Sequence, residues 1–279
     1  FPDVRGARSA RRIGRAVTPM MIAVENIGFA YGNHETVFDD FSFTVARGEI
    51  LAVIGPSGGG KTTLLYLLAG LRMPRSGRVC IDGLPLTRPR PGNGLVLQDH
   101  GLLPWSTVRD NVALGLKIRR FYGPDGRHSP DDATIDPAVA DQKIAYWLSR
   151  LDIADLADKY PAQISRGQRQ RTAIARTMTL DPDVLLMDEP FSALDAPTSE
   201  NLQDLVSGLA RESNLTTVIV THHIQEAVRM GQRILVVRRG VNRRPQIVAN
   251  KGCDEGMRQD PAAFNRQCDQ VRALLGAPR

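Results

Sequence analysis

The stretch Ile50–Thr62 (ILAVIGPSGGGKT) decides the fold of this 279-residue chain. Ile50–Ile54 is a short apolar run, which is typical of a strand buried on both faces of a sheet. Gly55–Thr62 matches the pattern G-x-x-x-x-G-K-[ST], and Lys61–Ala69 has helical composition and ends at Gly70, a favourable helix C-cap. A strand, a glycine-rich turn and a helix in this order predict a P-loop.

The P-loop pattern predicts the binding of a nucleotide. Glycines let successive backbone N–H groups converge on phosphate oxygens, and the helix N-terminus adds the positive end of its dipole. Lys61 reaches the β- and γ-phosphates, and the Thr62 hydroxyl can hold Mg²⁺. The predicted nucleotide-binding residues of this segment are Gly55, Pro56, Ser57, Gly58, Gly59, Gly60, Lys61, Thr62 and Thr63.

Two carboxylates follow a second apolar run, Val184–Met187. Asp188 stands at the end of this predicted strand, where it would hold Mg²⁺ through the shell of the ion. Glu189 is one residue nearer the γ-phosphate, and a carboxylate in that place can orient and deprotonate an attacking water. The alternative is an acidic strand end that contributes only to solubility.

The remaining apolar runs predict an α/β protein. Ile22–Tyr31 and the alternating Phe41–Val45 are typical of half-buried strands and indicate an antiparallel sheet near the start. Further on, short apolar runs alternate with helical segments, which predicts a mainly parallel sheet. The runs are Leu95–Gln98, Val184–Asp188, Thr217–Thr221 and Ile234–Val237, and the helical segments lie at about 168–179, 197–211 and 223–230.

The strand signal disappears between about residues 99 and 167. Helices are expected there at Thr107–Ile118, where Thr107 and Asp110 can form a capping box, and at Asp141–Leu151. The predicted fold class is therefore α/β: a P-loop NTPase core with a mainly parallel sheet, an N-terminal antiparallel β subdomain and an inserted helical subdomain.

The composition limits the function further. The net charge is +6, but residues 1–20 hold five arginines against one aspartate, so the rest of the chain is nearly balanced. This basic segment lacks the hydrophobic core of a signal peptide and is interpreted as a solvated extension, with a membrane-surface or nucleic-acid role as the alternative. No apolar run approaches the roughly 18 residues of a spanning helix. Three widely spaced cysteines without a Cys-x-x-Cys pair indicate neither a disulfide framework nor a zinc site, which fits a reducing cytosol.

Further motifs, in the expected order over about residues 21–240, make the chain resemble the ATP-binding cassette (ABC) family. Ile164–Gln168 (ISRGQ) looks like the signature motif of that family, and it precedes the pair Asp188–Glu189. No other P-loop class combines these two features. Ser192–Asp195 (SALD) is similar to the D-loop of the family, and His222 is similar to its switch histidine. Gln98 is similar to the Q-loop glutamine, and Tyr31 is similar to the aromatic residue that stacks on adenine.

The resemblance implies an ATP-hydrolysing subunit that uses ATP and Mg²⁺ and drives a separate transmembrane permease. It implies that Tyr31 stacks on adenine and that Gln98 senses Mg²⁺ and water. His222 would contact the γ-phosphate beside the catalytic base Glu189. The implied Mg²⁺ ligands are Thr62, Gln98 and Asp188.

The resemblance also implies a head-to-tail dimer with a second ATPase subunit, expected to be a second copy of this chain. Ser165, Gly167 and Gln168 would touch the nucleotide of the partner, and Asp195 completes the nucleotide-binding set. An extracytoplasmic solute-binding protein would act indirectly, nucleic acid is not an expected partner, and the subunit would lie on the cytoplasmic face of the inner membrane. We expect a basic, disordered extension over 1–20, an ABC ATPase domain over 21–250 with its helical subdomain at about 99–167, and a C-terminal helical tail over 251–279.

Two features depart from the family pattern. Arg166 stands where the family usually has Gly; its guanidinium either points away from the site or reaches the γ-phosphate of the partner as an arginine finger. The loop around Phe121–Pro137 is longer than is common in the family and has two interpretations, a lineage-specific feature or a partner contact.

Other candidate residues near the motifs keep two interpretations. Trp105 lies where the family docks a permease coupling helix, but an aromatic residue there also suits the core of the helical subdomain. His223 follows where the family often has Asp and is a weaker candidate than His222. The histidines without a motif are assigned to surface or loop positions: His34, His100 and His128.

Glu189–Thr198 (EPFSALDAPT) looks most like the nitrate, sulfonate and taurine branch of bacterial importers, so import of a small anion-like solute is expected. The rival is a soluble ABC ATPase acting in DNA repair or on the ribosome. Such proteins usually carry paired cassettes or long coiled coils, whereas this chain has one cassette and no sustained heptads. A non-hydrolysing regulator is disfavoured because Glu189 and His222 are both present.

Overall fold

Two β-sheets and a set of flanking helices build this protein. The computed structural model describes residues 20–32, 35–122, 136–250 and 260–276. The strands are β1 (Met20–Tyr31), β2 (Glu35–Ala46), β3 (Ile50–Ile54), β4 (Ser76–Ile81), β5 (Leu84–Pro85), β6 (Asn93–Val96), β7 (Val184–Asp188), β8 (Thr216–Thr221), β9 (Arg233–Val236) and β10 (Gln246–Ala249). The helices are α1 (Lys61–Ala69), α2 (Val108–Tyr122), α3 (Pro137–Arg150), α4 (Arg166–Met178), α5 (Ala196–Glu212), α6 (Ile224–Met230) and α7 (Pro261–Gly276).

The larger sheet is mainly parallel, as the sequence predicts. Its strand order is β10-β9-β3-β8-β7-β6. β3 pairs in parallel with β8 and β9, β7 pairs in parallel with β8 and β6, and β10 runs antiparallel to β9. Every residue of β3, β7 and β8 is buried, because helices and the second sheet cover both faces of these continuous apolar strands.

The smaller sheet is antiparallel and covers one face of the larger sheet. Its order is β2-β1-β4-β5. Its apolar face and α1 share one core cluster with the larger sheet, in which Ile27 and Phe41 join Leu64 of α1, Leu51 of β3 and Val218 of β8. The predicted N-terminal antiparallel β subdomain is confirmed.

Helices α2 to α5 share a second core cluster with the opposite face of the larger sheet, and within it α2 and α3 pack on α4, which contacts β6. Val112 of α2, Trp147 of α3, Ile174 of α4 and Val206 of α5 pack in one cluster with Met187 of β7. A smaller cluster joins α6 and α7 to β3 and β9. Within the described ranges, no helix has both the length and the apolar character that a membrane span requires.

Some element boundaries differ from the sequence prediction. β6 ends at Val96, so Gln98 lies in the turn after the strand rather than within it. Helix α3 begins at Pro137 instead of Asp141, because the Asp136 carboxylate caps its N-terminus by accepting from the N–H of Ala138 at 2.8 Å. The apolar pattern does not predict β4, β5 and β10, which are only six, two and four residues long.

Several positions singled out by the sequence lie outside the described residues. They are most of the basic extension (1–19), His34, most of the long loop (123–135, with His128) and Cys253. The remaining cysteines, Cys80 and Cys268, are buried and unpaired with each other.

Candidate functional site

The carboxyl ends of neighbouring parallel strands meet at one edge of the larger sheet. β3 leads into the P-loop, β8 ends just before His222, β7 ends at Asp188, and β6 ends shortly before Gln98. Ligands of open α/β sheets bind at this edge. The strand order therefore brings together residues that lie far apart in the sequence.

The Lys61 ammonium lies inside the P-loop, Gly55–Thr62. Its Nζ atom donates to the carbonyl oxygens of Gly55 at 2.9 Å and of Pro56 at 3.2 Å, and the side chain is 6% exposed. Burial is the main cause that lowers the pKa of Lys61, and the Glu189 carboxylate opposes this shift. The lysine is thus held where an anion bound in the loop would meet it.

Glycine is required at two places in this loop. A Cβ atom on Gly55 would lie 2.3 Å from the carbonyl oxygen of Val237, so no side chain fits there. Gly60 has a φ of 90° and precedes α1, whose N-terminus has no side-chain cap. The free N–H groups of this helix end and the narrow glycine backbone form a cradle that suits the phosphates of a nucleotide.

Thr62 and Asp188 form the part of the site that suits Mg²⁺. The Thr62 hydroxyl donates to Asp188 Oδ1 at 3.3 Å, and burial is the main cause that raises the pKa of Asp188. Mg²⁺ prefers oxygen ligands and keeps several waters or phosphates in its shell, so one hydroxyl and one carboxylate fit it. Correspondingly, the described residues contain no group of three or more His, Cys, Asp or Glu side chains arranged to hold a metal.

Glu189 lies at the centre of the site. Its Oε2 atom is 3.0 Å from His222 Nδ1 and accepts from Gln98 Nε2 at 3.4 Å, and its Oε1 atom is 4.0 Å from Lys61 Nζ. The backbone at Glu189 is left-handed, with φ 45°, and its N–H donates to the carbonyl oxygen of Val220 at 2.8 Å. A non-glycine residue in this conformation is strained, and such strain clusters at functional sites. The turn after β7 therefore aims this carboxylate at the P-loop.

Tyr31 lies beside α1, the helix that follows the P-loop. Its hydroxyl is 2.9 Å from Thr63 Oγ1, and the Arg72 guanidinium lies 5.2 Å from the ring centroid. Phe29 contacts the ring edge-to-face, and 37% of the tyrosine remains exposed. An exposed, laterally supported ring beside α1 is compatible with the predicted stacking on adenine.

The signature residues form a separate local structure at the start of α4. Ser165 Oγ accepts from the N–H of Gln168 at 3.2 Å, and Gln168 Oε1 accepts from the N–H of Ser165 at 2.8 Å. This reciprocal capping box holds both side chains on each other rather than on the P-loop of the same chain. Ser165 and Arg166 are exposed, whereas Gly167 is buried.

Asp195 lies next to the signature rather than beside Lys61. It is the N-cap of α5, where its Oδ2 atom accepts from the N–H of Thr198 at 3.2 Å and from the Thr198 hydroxyl at 3.0 Å. These hydrogen bonds lower the pKa of Asp195. A Cβ atom on Gly167 would lie 2.7 Å from Thr198 Cγ2, so α4 and α5 start in direct contact.

The structure separates the two interpretations of Trp105, which is 74% exposed. It is therefore not part of the core of the helical subdomain, in which Trp147 is buried instead. The predicted docking role of Trp105 stays a prediction. The Arg166 guanidinium lies on the surface as well, and both interpretations of it remain.

Sequence reasoning missed a link between the Q-loop turn and the signature helix. His100 Nε2 lies 3.3 Å from the carbonyl oxygen of Arg166, and Arg176 of α4 donates to the carbonyl oxygens of His100 at 2.7 Å and Gly101 at 2.6 Å. His100 and Gly101 both have left-handed φ angles, of 68° and 56°. Burial lowers the pKa of His100. His100 lies in a turn, which agrees with the surface or loop position that the sequence predicts, and Gly101 is the local sign of this tight turn.

The fold and the geometry define the class of the protein: a P-loop NTPase with a glycine-rich loop around Lys61, the oxygen pair of Thr62 and Asp188, and the Glu189 carboxylate beside them. The comparisons with known proteins agree with this class. The sequence over residues 38–192 matches the ABC transporter family. The chain is 35% identical over 215 residues to the aliphatic sulfonates import ATP-binding protein SsuB of Bacillus cereus, covering 77% of this chain and 79% of that protein.

A second relative and a solved structure extend the match. The taurine import ATP-binding protein TauB of Roseobacter denitrificans is 36% identical over 220 residues, which cover 77% of each chain. A dimeric ATP-binding cassette in a post-hydrolysis state with ADP and Pi bound superposes with a TM-score of 0.68 at 28% identity, over 81% of this chain and 98% of that one. The chain belongs to the ABC transporter family, and it is an ATP-binding ATPase of that family.

Proposed function

We propose that this ATPase is the motor subunit of an importer: it binds ATP and Mg²⁺, hydrolyses ATP and thereby drives uptake of a small anionic solute through a separate permease. The observation that carries the proposal is the position of Glu189. One carboxylate contacts the P-loop lysine, the switch histidine and the Q-loop glutamine at 4.0, 3.0 and 3.4 Å.

The contacts of Glu189 give each neighbour a role in hydrolysis. Glu189 takes a proton from the attacking water, whose oxygen then bonds to the γ-phosphorus while the bond to the ADP oxygen breaks. Lys61 offsets the negative charge on the phosphates. Because an ionised carboxylate only accepts, His222 Nδ1 carries a proton in its contact with Glu189, which leaves Nε2 to face the phosphate. Gln98 completes the ring of groups around the water.

Thr62 and Asp188 would hold Mg²⁺, with Gln98 contributing through a water as the family resemblance implies. The ion supplies charge neutralisation between the β- and γ-phosphates when it is bound. Tyr31 would stack on adenine, and the residues Gly55 to Thr63 would bind the phosphates.

We infer a second, head-to-tail copy because the signature residues stand apart from the P-loop of their own chain. Ser165 is exposed at the N-terminus of α4 while its hydroxyl is already engaged with Gln168. A helix N-terminus suits a phosphate, so Ser165 and Gly167 would complete the nucleotide site of a partner, with Asp195 next to them. The dimeric ATP-binding cassette described above supports this arrangement.

The solute class rests on the relatives. The two curated relatives described above are named for the import of aliphatic sulfonates and of taurine, and Glu189–Thr198 resembles the same branch of importers. We therefore propose a sulfonate-, taurine- or nitrate-type solute, a permease as the direct partner, an external binding protein as an indirect one, and a peripheral position on the cytoplasmic face of the membrane. These relatives also disfavour the rival role in DNA repair or on the ribosome.

The experiment that tests hydrolysis uses Glu189→Gln. The amide keeps the size of the side chain but cannot take the proton, so turnover should fall by about 10² or more, within the range of general acid–base catalysis, while ATP still binds. The variant should also form an ATP-dependent dimer in light scattering, because uncleaved nucleotide stays between two chains.

The matched control is Glu212→Gln, which changes an exposed carboxylate that pairs with Arg150 at the end of α5. It should hydrolyse ATP like the unchanged protein. Near-normal turnover of Glu189→Gln would refute the assignment of the base. Transport is tested separately, by deleting the gene and measuring growth on taurine, an alkanesulfonate or nitrate; growth on all of them would reject the proposed solute class without affecting the ATPase.

A further inference from the structure

A chain of two hydrogen bonds closes the turn that carries His222. Strand β8 ends at Thr221, which is 1% exposed, and helix α6 begins three residues later at Ile224. The Thr221 hydroxyl donates to Glu226 Oε2 at 2.5 Å and accepts from the N–H of His223 at 3.0 Å. His222 lies between Thr221 and His223, which the second of these hydrogen bonds joins.

We propose that Glu226 is a positioning residue for the ATPase reaction, and that it acts through the Thr221 hydroxyl to hold the His222 side chain against Glu189. This inference rests on the proposed function, in which His222 and Glu189 face the γ-phosphate.

The direction of the Thr221 hydroxyl bond is what gives Glu226 this role. A hydroxyl has one proton and two acceptor lone pairs. When the proton points at the Glu226 carboxylate, the lone pairs are free for the N–H of His223. Without an acceptor at position 226, the Thr221 hydroxyl no longer joins helix α6 to the end of β8, and only its contact with the N–H of His223 holds the turn. Glu226 therefore helps to hold the backbone turn that contains His222.

Thr221, whose hydroxyl makes both hydrogen bonds, is rigidly held. Thr221 pairs with Ile54 at the end of β3, the strand that leads into the P-loop. A β-branched side chain in a buried strand has few rotamers, so its hydroxyl has little freedom. The two hydrogen bonds of the Thr221 hydroxyl, called the relay from here on, therefore hold the turn that contains His222 beside β3, the strand that leads into the P-loop.

The surroundings make the Glu226 contact strong. Burial is the main cause that raises the pKa of Glu226, and the hydrogen bond from Thr221 opposes the shift. His223 and His222 favour its charge, while Glu189 disfavours it. Hydrogen bonds to a carboxyl group in such a poorly solvated place are stronger than those at the surface.

The His222 ring itself is only partly held by other groups. Its side chain is 44% exposed, and it lies 3.0 Å from Glu189 Oε2 and 4.0 Å, between ring centroids, from His223. His223 moves with the same backbone turn. Loss of the relay would therefore release both imidazoles together.

The test measures steady-state ATP hydrolysis and ATP affinity for six single variants and one double variant of the full chain. Glu226→Ala and Thr221→Val each break the relay, and Thr221→Val does so with almost no change of shape. Both should lower kcat by about 10- to 10²-fold, the cost of a misplaced catalytic group, with the Kd for ATP unchanged. Glu226→Gln and Thr221→Ser keep an acceptor oxygen and a hydroxyl, respectively, and should keep most of the activity. Gln225→Ala, an exposed neighbour on the first turn of α6, is the control and should keep full activity.

The sixth variant, His222→Ala, separates this inference from the proposed function. If Glu226 acts through His222, then Glu226→Ala should cost nothing further when His222 is already Ala. An additive loss of kcat in the double variant would refute the positioning role of Glu226. Near-normal kcat in both Thr221→Val and Glu226→Ala, with His222→Ala inactive, would refute it as well. Either result leaves the proposed function intact. Full activity of His222→Ala instead contradicts the proposed site itself. If Glu226→Ala fails to fold in thermal denaturation, the comparison of Thr221→Val with Thr221→Ser decides.

Discussion

Gly167 predicts a steric coupling between the signature helix and the helix after the D-loop. In Gly167→Ala, the new Cβ atom would lie 2.7 Å from Thr198 Cγ2, whereas ordinary carbon contacts lie near 3.5 Å or more. The Thr198 side chain cannot change rotamer freely, because its hydroxyl and its N–H both donate hydrogen bonds to Asp195 Oδ2. Either α4 shifts away from α5 or the Asp195 cap is lost.

The magnitude follows from two opposing effects. Overpacking a well-packed site costs typically about 1–3 kcal/mol. Alanine gains up to about 1 kcal/mol over glycine inside a helix, and less in the first turn where Gly167 lies. Gly167→Ala should therefore lower the free energy of unfolding by about 1–2 kcal/mol. It should also weaken ATP-dependent dimer formation, because the shift moves Ser165 at the exposed start of α4.

The assay is urea denaturation followed by circular dichroism, together with light scattering in ATP. The matched control is Thr198→Ser, which removes the clashing methyl group and keeps the hydroxyl that bonds Asp195. The double variant Gly167→Ala with Thr198→Ser should recover most of the lost stability. An unchanged or higher midpoint for Gly167→Ala alone, or no recovery in the double variant, would refute this account of the contact.

Two further predictions concern the dimer. If each site is shared between two chains, mixing inactive Lys61→Ala with inactive Ser165→Ala chains should restore part of the ATPase activity, since a mixed dimer contains one intact site. No recovery, together with a specific activity that does not depend on protein concentration, would favour a self-sufficient monomer. Arg166→Gly should keep the ATPase rate of the reconstituted transporter within about tenfold, a barrier change below about 1.4 kcal/mol, because the family hydrolyses ATP with Gly at this position. A loss of about 10³ or more with unchanged ATP affinity would instead make Arg166 an arginine finger.

The P-loop and the α/β fold class could be predicted from the sequence because their determinants are local. The glycine spacing of Gly55–Thr62, the apolar run before it and the helix after it are contiguous, and each obeys a short-range rule of backbone sterics. The capping box at Ser165 and Gln168 is local as well. The strands β4, β5 and β10 escaped prediction because they are only six, two and four residues long, so that pairing with a neighbouring strand decides them.

The identity of the reacting groups follows from short motifs in the sequence, but which of them lie together depends on the tertiary fold. Glu189 faces Gln98 and His222 because β8 lies between β3 and β7 and β6 lies beyond β7, and strand order is a long-range property. The exposure of Trp105 and the link from Glu226 through Thr221 also depend on packing. Residue types and short spacings determine local conformation and chemistry, whereas contacts across the sheet depend on the order in which the buried strands pair.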